Sequence, residues 1–237
     1  MPKSTVTVRA FIKAIDKDYF DAFLNCGEIC MNSLKTFRDF EMKNEAIGDK
    51  YEGANYAICE GATISIGPPG TTNQFETLSE NVKDVLFFNN EIFGNILSLN
   101  TIIYDGKDIH NIPQKFLQEF NNHRFCLITA PNYFIEKLKD AILSKGFKPE
   151  VRPVHYFAPT EKLIALNPFM KRENYNYQNE TRVYFKNIID ERHIFKIGSI
   201  HEYAIEIFPK QHIYKLTSSR YNDLIIKVEN NLTDNFK

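Results

Sequence analysis

An α+β fold is predicted for this chain of 237 residues by three observations. Segments rich in β-branched and aromatic residues recur along its length. Amphipathic helical stretches are few and fall between them. The two kinds are mixed without the regular strand–helix–strand alternation of a doubly wound sheet. The length suits one domain spanning 1–237. At 43% hydrophobic and 25% charged residues the composition is that of a soluble globular protein. With 20 Phe and no Trp, the core is expected to be built from Phe, Ile and Leu.

Residues 5–12 (TVTVRAFI) read as a first strand. Asp16 can cap the helix that follows, with Tyr19, Phe20, Phe23 and Leu24 at helical spacing and Gly27 as its stop. Residues 28–33 read as a second strand running into a helical turn over 34–40. Gly48-Asp49 and Glu52-Gly53 bracket a loop. Strands are expected at 56–59 and 62–66, then a turn at 67–70, a loose polar connection over 70–84, and apolar strand character from 84 to 104. A helix is expected at 113–121 and a buried strand at 124–130. An amphipathic helix is expected at 131–145, with Phe134, Ile135, Leu138, Ile142 and Leu143 on one face and Gly146 ending it. Strands at 151–157, 162–166, 181–185, 193–197, 203–208 and 224–228 complete a β-rich second half.

Charge is uneven. Residues 1–120 carry 11 Lys/Arg against 17 Asp/Glu, and residues 121–237 carry 18 against 13. The basic half could meet an anionic partner such as NAD phosphates, RNA or DNA. Cys26, Cys30, Cys59 and Cys126 lack zinc-type pairing and read as buried free thiols of a reducing cytoplasm. No signal-like N-terminus and no apolar stretch approaching about 18 residues is found, so a cytoplasmic location without a membrane partner is expected. Dinucleotide-fold, P-loop, helical zinc-protease and serine-hydrolase motifs are missing, and the six His lack the spacing of a helical metal site.

The triplet Gln178-Asn179-Glu180, at the mouth of the 181–185 strand, is the best catalytic signature. Residues two apart on a strand share a face, so a carboxylate and an amide can serve one site. Arg9, flanked by apolar neighbours in the first strand, should reach a carboxylate or a bound phosphate. The Ser33 hydroxyl, ending the second strand, could brace the glutamate or a ribose. Phe37, Tyr51, Tyr175 and Tyr177 could stack on a nicotinamide ring.

Arginine in strand one, serine ending strand two and Q-x-E entering a late strand resemble the R-S-E class of ADP-ribosyltransferases. The resemblance implies a split β-sandwich with flanking helices, opening around NAD as cofactor. It implies that Arg9 holds the pyrophosphate and Ser33 positions the glutamate. Glu180 would bond the ribose 2′-hydroxyl and stabilise an oxocarbenium-like transition state, and Gln178 would contact the acceptor. The chain departs from the pattern where Leu34 follows Ser33 in place of Thr-Ser. Residues 32–38, 48–53, 177–182 and 197–200 also resemble small bacterial proteins, some found near phage-defence and toxin genes. That implies a toxin or antiviral defence effector modifying a protein side chain or a nucleic-acid base, with an antitoxin as a possible partner. Two other functions fit the residues. One is a metal-dependent nuclease with Asp49, Glu52 and Glu180 as ligands. The other is a non-catalytic binding module built on the 48–53 loop and the aromatics.

Overall fold

The computed structural model describes residues 8–41, 48–59, 61–68, 76–88, 92–103, 109–110, 113–158, 163–208, 211–216 and 225–230. The architecture is mixed α+β, dominated by antiparallel strands. Eight strands, numbered here in chain order, form the principal sheet: β1 (Val8–Asp16), β2 (Glu28–Ser33), β3 (Asn95–Ile103), β4 (His123–Ile128), β5 (Pro149–Pro153), β6 (Glu180–Phe185), β7 (His193–Lys196) and β8 (Ala204–Ile207). Their order is β5-β6-β3-β1-β4-β8, with β2 bridging from β3 to β7. The helices are α1 (Phe20–Cys26), α2 (Leu34–Glu41), α3 (Gln114–Glu119) and α4 (Pro131–Ser144).

Strand alternation gives the sheet two chemically different faces. On one, Phe11, Leu97, Leu99, Cys126, Val183 and Phe185 pack under Phe134, Leu138 and Ile142 of α4 to form the main core. Pro131 opens α4 at its first turn, where a missing N–H costs nothing. Leu143, expected on the packed face, is 51% exposed, because it lies one residue past the stripe that Ile142 completes. The opposite face carries Ile12, Asn100 and Glu180 in a single row, Ile12 facing Asn100 and Asn100 facing Glu180. The Ser98–Arg182 pair lies in the next row.

The sheet forks at β3. Its ladder with β1 runs to Ile12–Asn100, while β2 joins it at Ile96 and Asn95. Between these ladders the Ser98 carbonyl accepts a bond from Lys13 Nζ at 3.1 Å.

Several expected boundaries shift for identifiable reasons. Within 70–84 lies a strand, Glu76–Val82, paired with Ala62–Ile66. The segment is polar because Glu76–Asn81 is exposed on both of its faces. The 84–104 run divides into Val85–Phe87 and β3. The 151–157 run divides at Val154, whose N–H bonds the Glu180 carbonyl at 2.9 Å. Beyond it, His155–Phe157 pairs in parallel with Met170–Arg172. Cys59 and Cys126 are buried free thiols as expected, but Cys26, at the last turn of α1, and Cys30, on β2, are exposed. Residues 5–7 of the expected first strand, part of the turn expected at 67–70, and the side chain of Arg9 lie outside the described residues.

Gly27 closes α1 as expected, with φ +57° and its N–H on the Ala22 carbonyl. A Cβ there would stand 2.2 Å from the Gly198 carbonyl oxygen and 2.6 Å from Ile197 Cγ1. Gly27→Ala should therefore cost roughly 2 kcal/mol or more, adding left-handed strain to a backbone clash. Calorimetry should show the melting temperature falling by about 4–8 °C. An unchanged melting temperature would refute the close approach of α1 to the 197–198 turn.

Candidate functional site

Glu180 opens β6 and has its backbone N–H on the Tyr156 hydroxyl at 2.8 Å. Gln178 ends a 3-10 helix (Glu173–Gln178), and Asn179 takes a left-handed conformation with φ +39°. The Q-x-E residues are thus not joined by strand alternation. They meet because Lys171 Nζ donates to Gln178 Oε1 at 2.7 Å and to Glu180 Oε1 at 2.9 Å. Lys171 is delivered by the short strand that pairs it with Tyr156, so the parallel ladder sets the lysine under the triplet.

The second oxygen of Glu180 accepts from Arg182 Nε at 2.9 Å. Residues 180 and 182 alternate onto the same face, which makes this bond a product of strand geometry. The guanidinium then forks onto Glu52, with nitrogen–oxygen distances of 2.5 and 3.2 Å, and donates to the Pro168 carbonyl at 2.6 Å. Arg182, Glu52 and Glu180 are 1%, 4% and 7% exposed, so the network is desolvated. The 48–54 turn holds Glu52 in place: Asp49 N–H bonds the Phe37 carbonyl, and Glu52 N–H bonds the Asp49 carbonyl. Asp49 also takes a contact from Arg172 at 3.3 Å.

A cavity of about 190 Å³ opens beside this network. Its polar wall includes Gln178, Glu180, Lys171, Arg182 and Lys13, and Phe37, Phe116 and Phe120 supply aromatic surface. Of the sequence candidates, Glu180, Gln178 and Phe37 share this cavity. Ser33 does not meet them. It faces Asn95, five positions along β3 from the Asn100 that faces Glu180, which is about 17 Å of strand. The Ser33 hydroxyl bonds Asp190 and Thr36 and borders a separate small pocket with Lys35. The aromatic rings of Tyr51 and Tyr175 are covered by cations. Arg172 lies 4.9 Å above the first and Lys171 4.6 Å above the second. Tyr177 bonds Glu119 through its hydroxyl and takes Lys115 over its ring at 4.2 Å.

Burial opposes ionisation of Glu180, but Lys171 and Arg182 outweigh it and hold the carboxyl down at about 2. Burial pushes Glu52 up to about 7 against the pull of Arg182. Arg182 is raised above its ordinary value, because the two carboxylates outweigh its desolvation. Burial lowers Lys13, with Glu180 and Cys30 acting the other way. Glu52 and Glu180, two of the carboxylates a metal site would need, do converge, but Arg182 stands between them. No group of three or more His, Cys, Asp or Glu able to hold a metal ion occurs among the described residues.

Sequence reading missed Lys171, Arg182 and Lys13. Arg182 was legible as the next same-face residue after Glu180, and Lys13 as a charge interrupting an apolar strand. Lys171 carries no local signal, since a parallel pairing and a helical turn place it.

Compared with known proteins, the chain matches no family model, no curated protein and no solved structure. Among the described residues no helix is long and apolar enough to cross a membrane.

The sign of the pH dependence follows from the two carboxyls. Glu180 is depressed below the usual 4.5, so its stabilisation is complete above pH 4.5 and is lost as pH falls towards 2. Glu52 acts oppositely, and its ionisation draws on stability as pH rises from 4.5 to about 7. Glu180→Gln should destabilise by about 3 kcal/mol at pH 6. In urea unfolding, the gap from wild type should narrow as pH approaches 2.5. A gap independent of pH would contradict the ion pairing.

Proposed function

We propose that the chain is an NAD-dependent ADP-ribosyltransferase with Glu180 as its catalytic carboxylate. The observation carrying this reading is Glu180, paired with Lys171 and Arg182, on the wall of a cavity that also presents aromatic surface. Cleavage of the bond between nicotinamide and ribose needs little proton transfer, because the leaving group is already a cationic pyridinium. It needs a fixed negative charge where positive charge develops on the ribose, and a geometry that holds the reacting centre there.

Lys171 and Arg182 keep Glu180 charged and fix its orientation. Oε1 accepts one bond, from Lys171, and a carboxylate oxygen can accept about two. The remaining capacity is available to a ribose 2′-hydroxyl. Phe37, Phe116 and Phe120 supply surface for the nicotinamide or adenine ring. Ser33 has no part in this arrangement, since its hydroxyl is engaged with Asp190. Gln178 serves through Lys171, as a positioning residue of the carboxylate.

The acceptor class is a protein side chain or a nucleic-acid base, and the excess of cations over residues 121–237 favours the latter. The setting proposed is the cytoplasm of a bacterium, as a toxin or phage-defence effector restrained by an antitoxin protein.

Purified protein supplied with labelled NAD and either cell lysate, RNA or DNA should release nicotinamide and transfer label. Glu180→Gln should lower the rate by roughly 10²–10³-fold while the folded fraction, followed by circular dichroism, is maintained below its melting point. Absence of nicotinamide release with every acceptor, or equal rates for wild type and variant, would overturn the reading.

A further inference from the structure

Of the Lys and Arg side chains that line the cavity, Lys13 is the one the Glu180 network does not engage. We propose that Lys13 is a nucleophilic amine of this cavity, open to a small carbonyl compound. Its Nζ attacks the carbonyl carbon, the oxygen leaves as water with the two amine hydrogens, and an imine forms.

Three observations support this. First, Lys13 lines the cavity at the fork of the sheet, and the partner of its Nζ among the described residues is a neutral one, the Ser98 carbonyl at 3.1 Å. Lys171, by contrast, donates to the Gln178 amide oxygen and to the Glu180 carboxylate. Lys13 is half-buried and an ammonium has three donors, so holding it charged here would leave two of them without a protein acceptor among the described residues. Second, the charges around the cavity balance without it. Lys171 and Arg182 face Glu180 and Glu52, two cations against two carboxyls. Third, a proton-transfer group stands on the same cavity. His123 Nδ1 is buried and has no hydrogen-bond partner. Exposed Cys30 also lines the cavity, which therefore reaches the surface.

The groups facing Lys13 set the direction of its titration. Burial favours the free amine, while Glu180 on β6 and Cys30 on β2 favour the ammonium. His123 on β4 is itself lowered by burial first and by Lys13 second. Burial is the largest of these influences, so the amine is freed at a lower pH than an exposed lysine. This inference is independent of NAD. It concerns an amine reactivity that would survive if the transferase reading failed.

The test is reductive labelling of the folded chain by propanal and, separately, glyoxylate, each with cyanoborohydride, read by peptide mass spectrometry. At pH 7.5 Lys13 should label at least about tenfold faster than exposed Lys139 and Lys148. The excess rate at Lys13 should shrink as pH rises, because burial favours its free amine most where ammonium forms prevail. Faster labelling by glyoxylate than by propanal would identify an anionic carbonyl compound as the preferred class, and equal rates a neutral one. Lys13→Arg should abolish the fast site and leave the slow ones. Lys13 labelling more slowly than Lys139 and Lys148 across pH 6–9, yet readily after unfolding in urea, would overturn the proposal.

Discussion

Arg182 is the residue on which the polar face of the sheet depends. At 1% exposure it is joined to Glu180 in its own strand, to Glu52 across 130 residues of chain, and to the Pro168 carbonyl. Removing a guanidinium and two carboxylates from water costs several kcal/mol per ion, and their mutual attraction offsets that only when every donor is satisfied. The fork of Arg182 comes close to this condition, with four of its five N–H donors, and each of its three nitrogens, directed at an oxygen. Loss of one member would leave its partner as an uncompensated buried charge. The 48–54 turn, the 168–172 segment and β6 are therefore held together by electrostatics as much as by packing.

The apolar face sets the opposite constraint. Phe134, Leu138 and Ile142 press on β1, β3 and β6 from one side, so those strands cannot shift register without moving their core residues to the wrong face. Register on the core side thereby fixes which residues reach the polar side. With Val183 in the core, Arg182 must point away from it, and Glu180 with it. The cavity arises where β1 and β2 take separate partners along β3, because the strands there diverge and side chains fill the gap incompletely.

The sequence carried most of the strands and α4 in its two periodicities, and it carried the position of Glu180 at a strand mouth. It carried less of the site. Ser33 and Glu180 looked like neighbours because both sit at strand ends, but end-to-end adjacency depends on register, and β3 separates them by five residues. Tyr51 and Tyr175 looked available for stacking, but both are buried and each ring carries a cation over it. Lys171 was invisible because its place depends on a parallel pairing of two three-residue strands, too short to show a period. Local pattern reveals what a strand presents. It does not reveal which strand lies opposite.

Charge balance joins the network to the cavity. A site with Lys171 and Arg182 against Glu180 and Glu52 is neutral while both carboxyls are ionised, and burial pushes Glu52 up towards its protonated form. Any protonation of Glu52 leaves the site short of negative charge. Adding a third cation at Lys13 would then raise the free energy further, with burial already acting against the ammonium. The same ion pairs that keep Glu180 negative engage both carboxylates, so Glu180 acts on Lys13 only through space and burial outweighs it. A fixed anion and an amine freed of its proton can coexist in one small cavity because Arg182 and Lys171 have already taken the available negative charge.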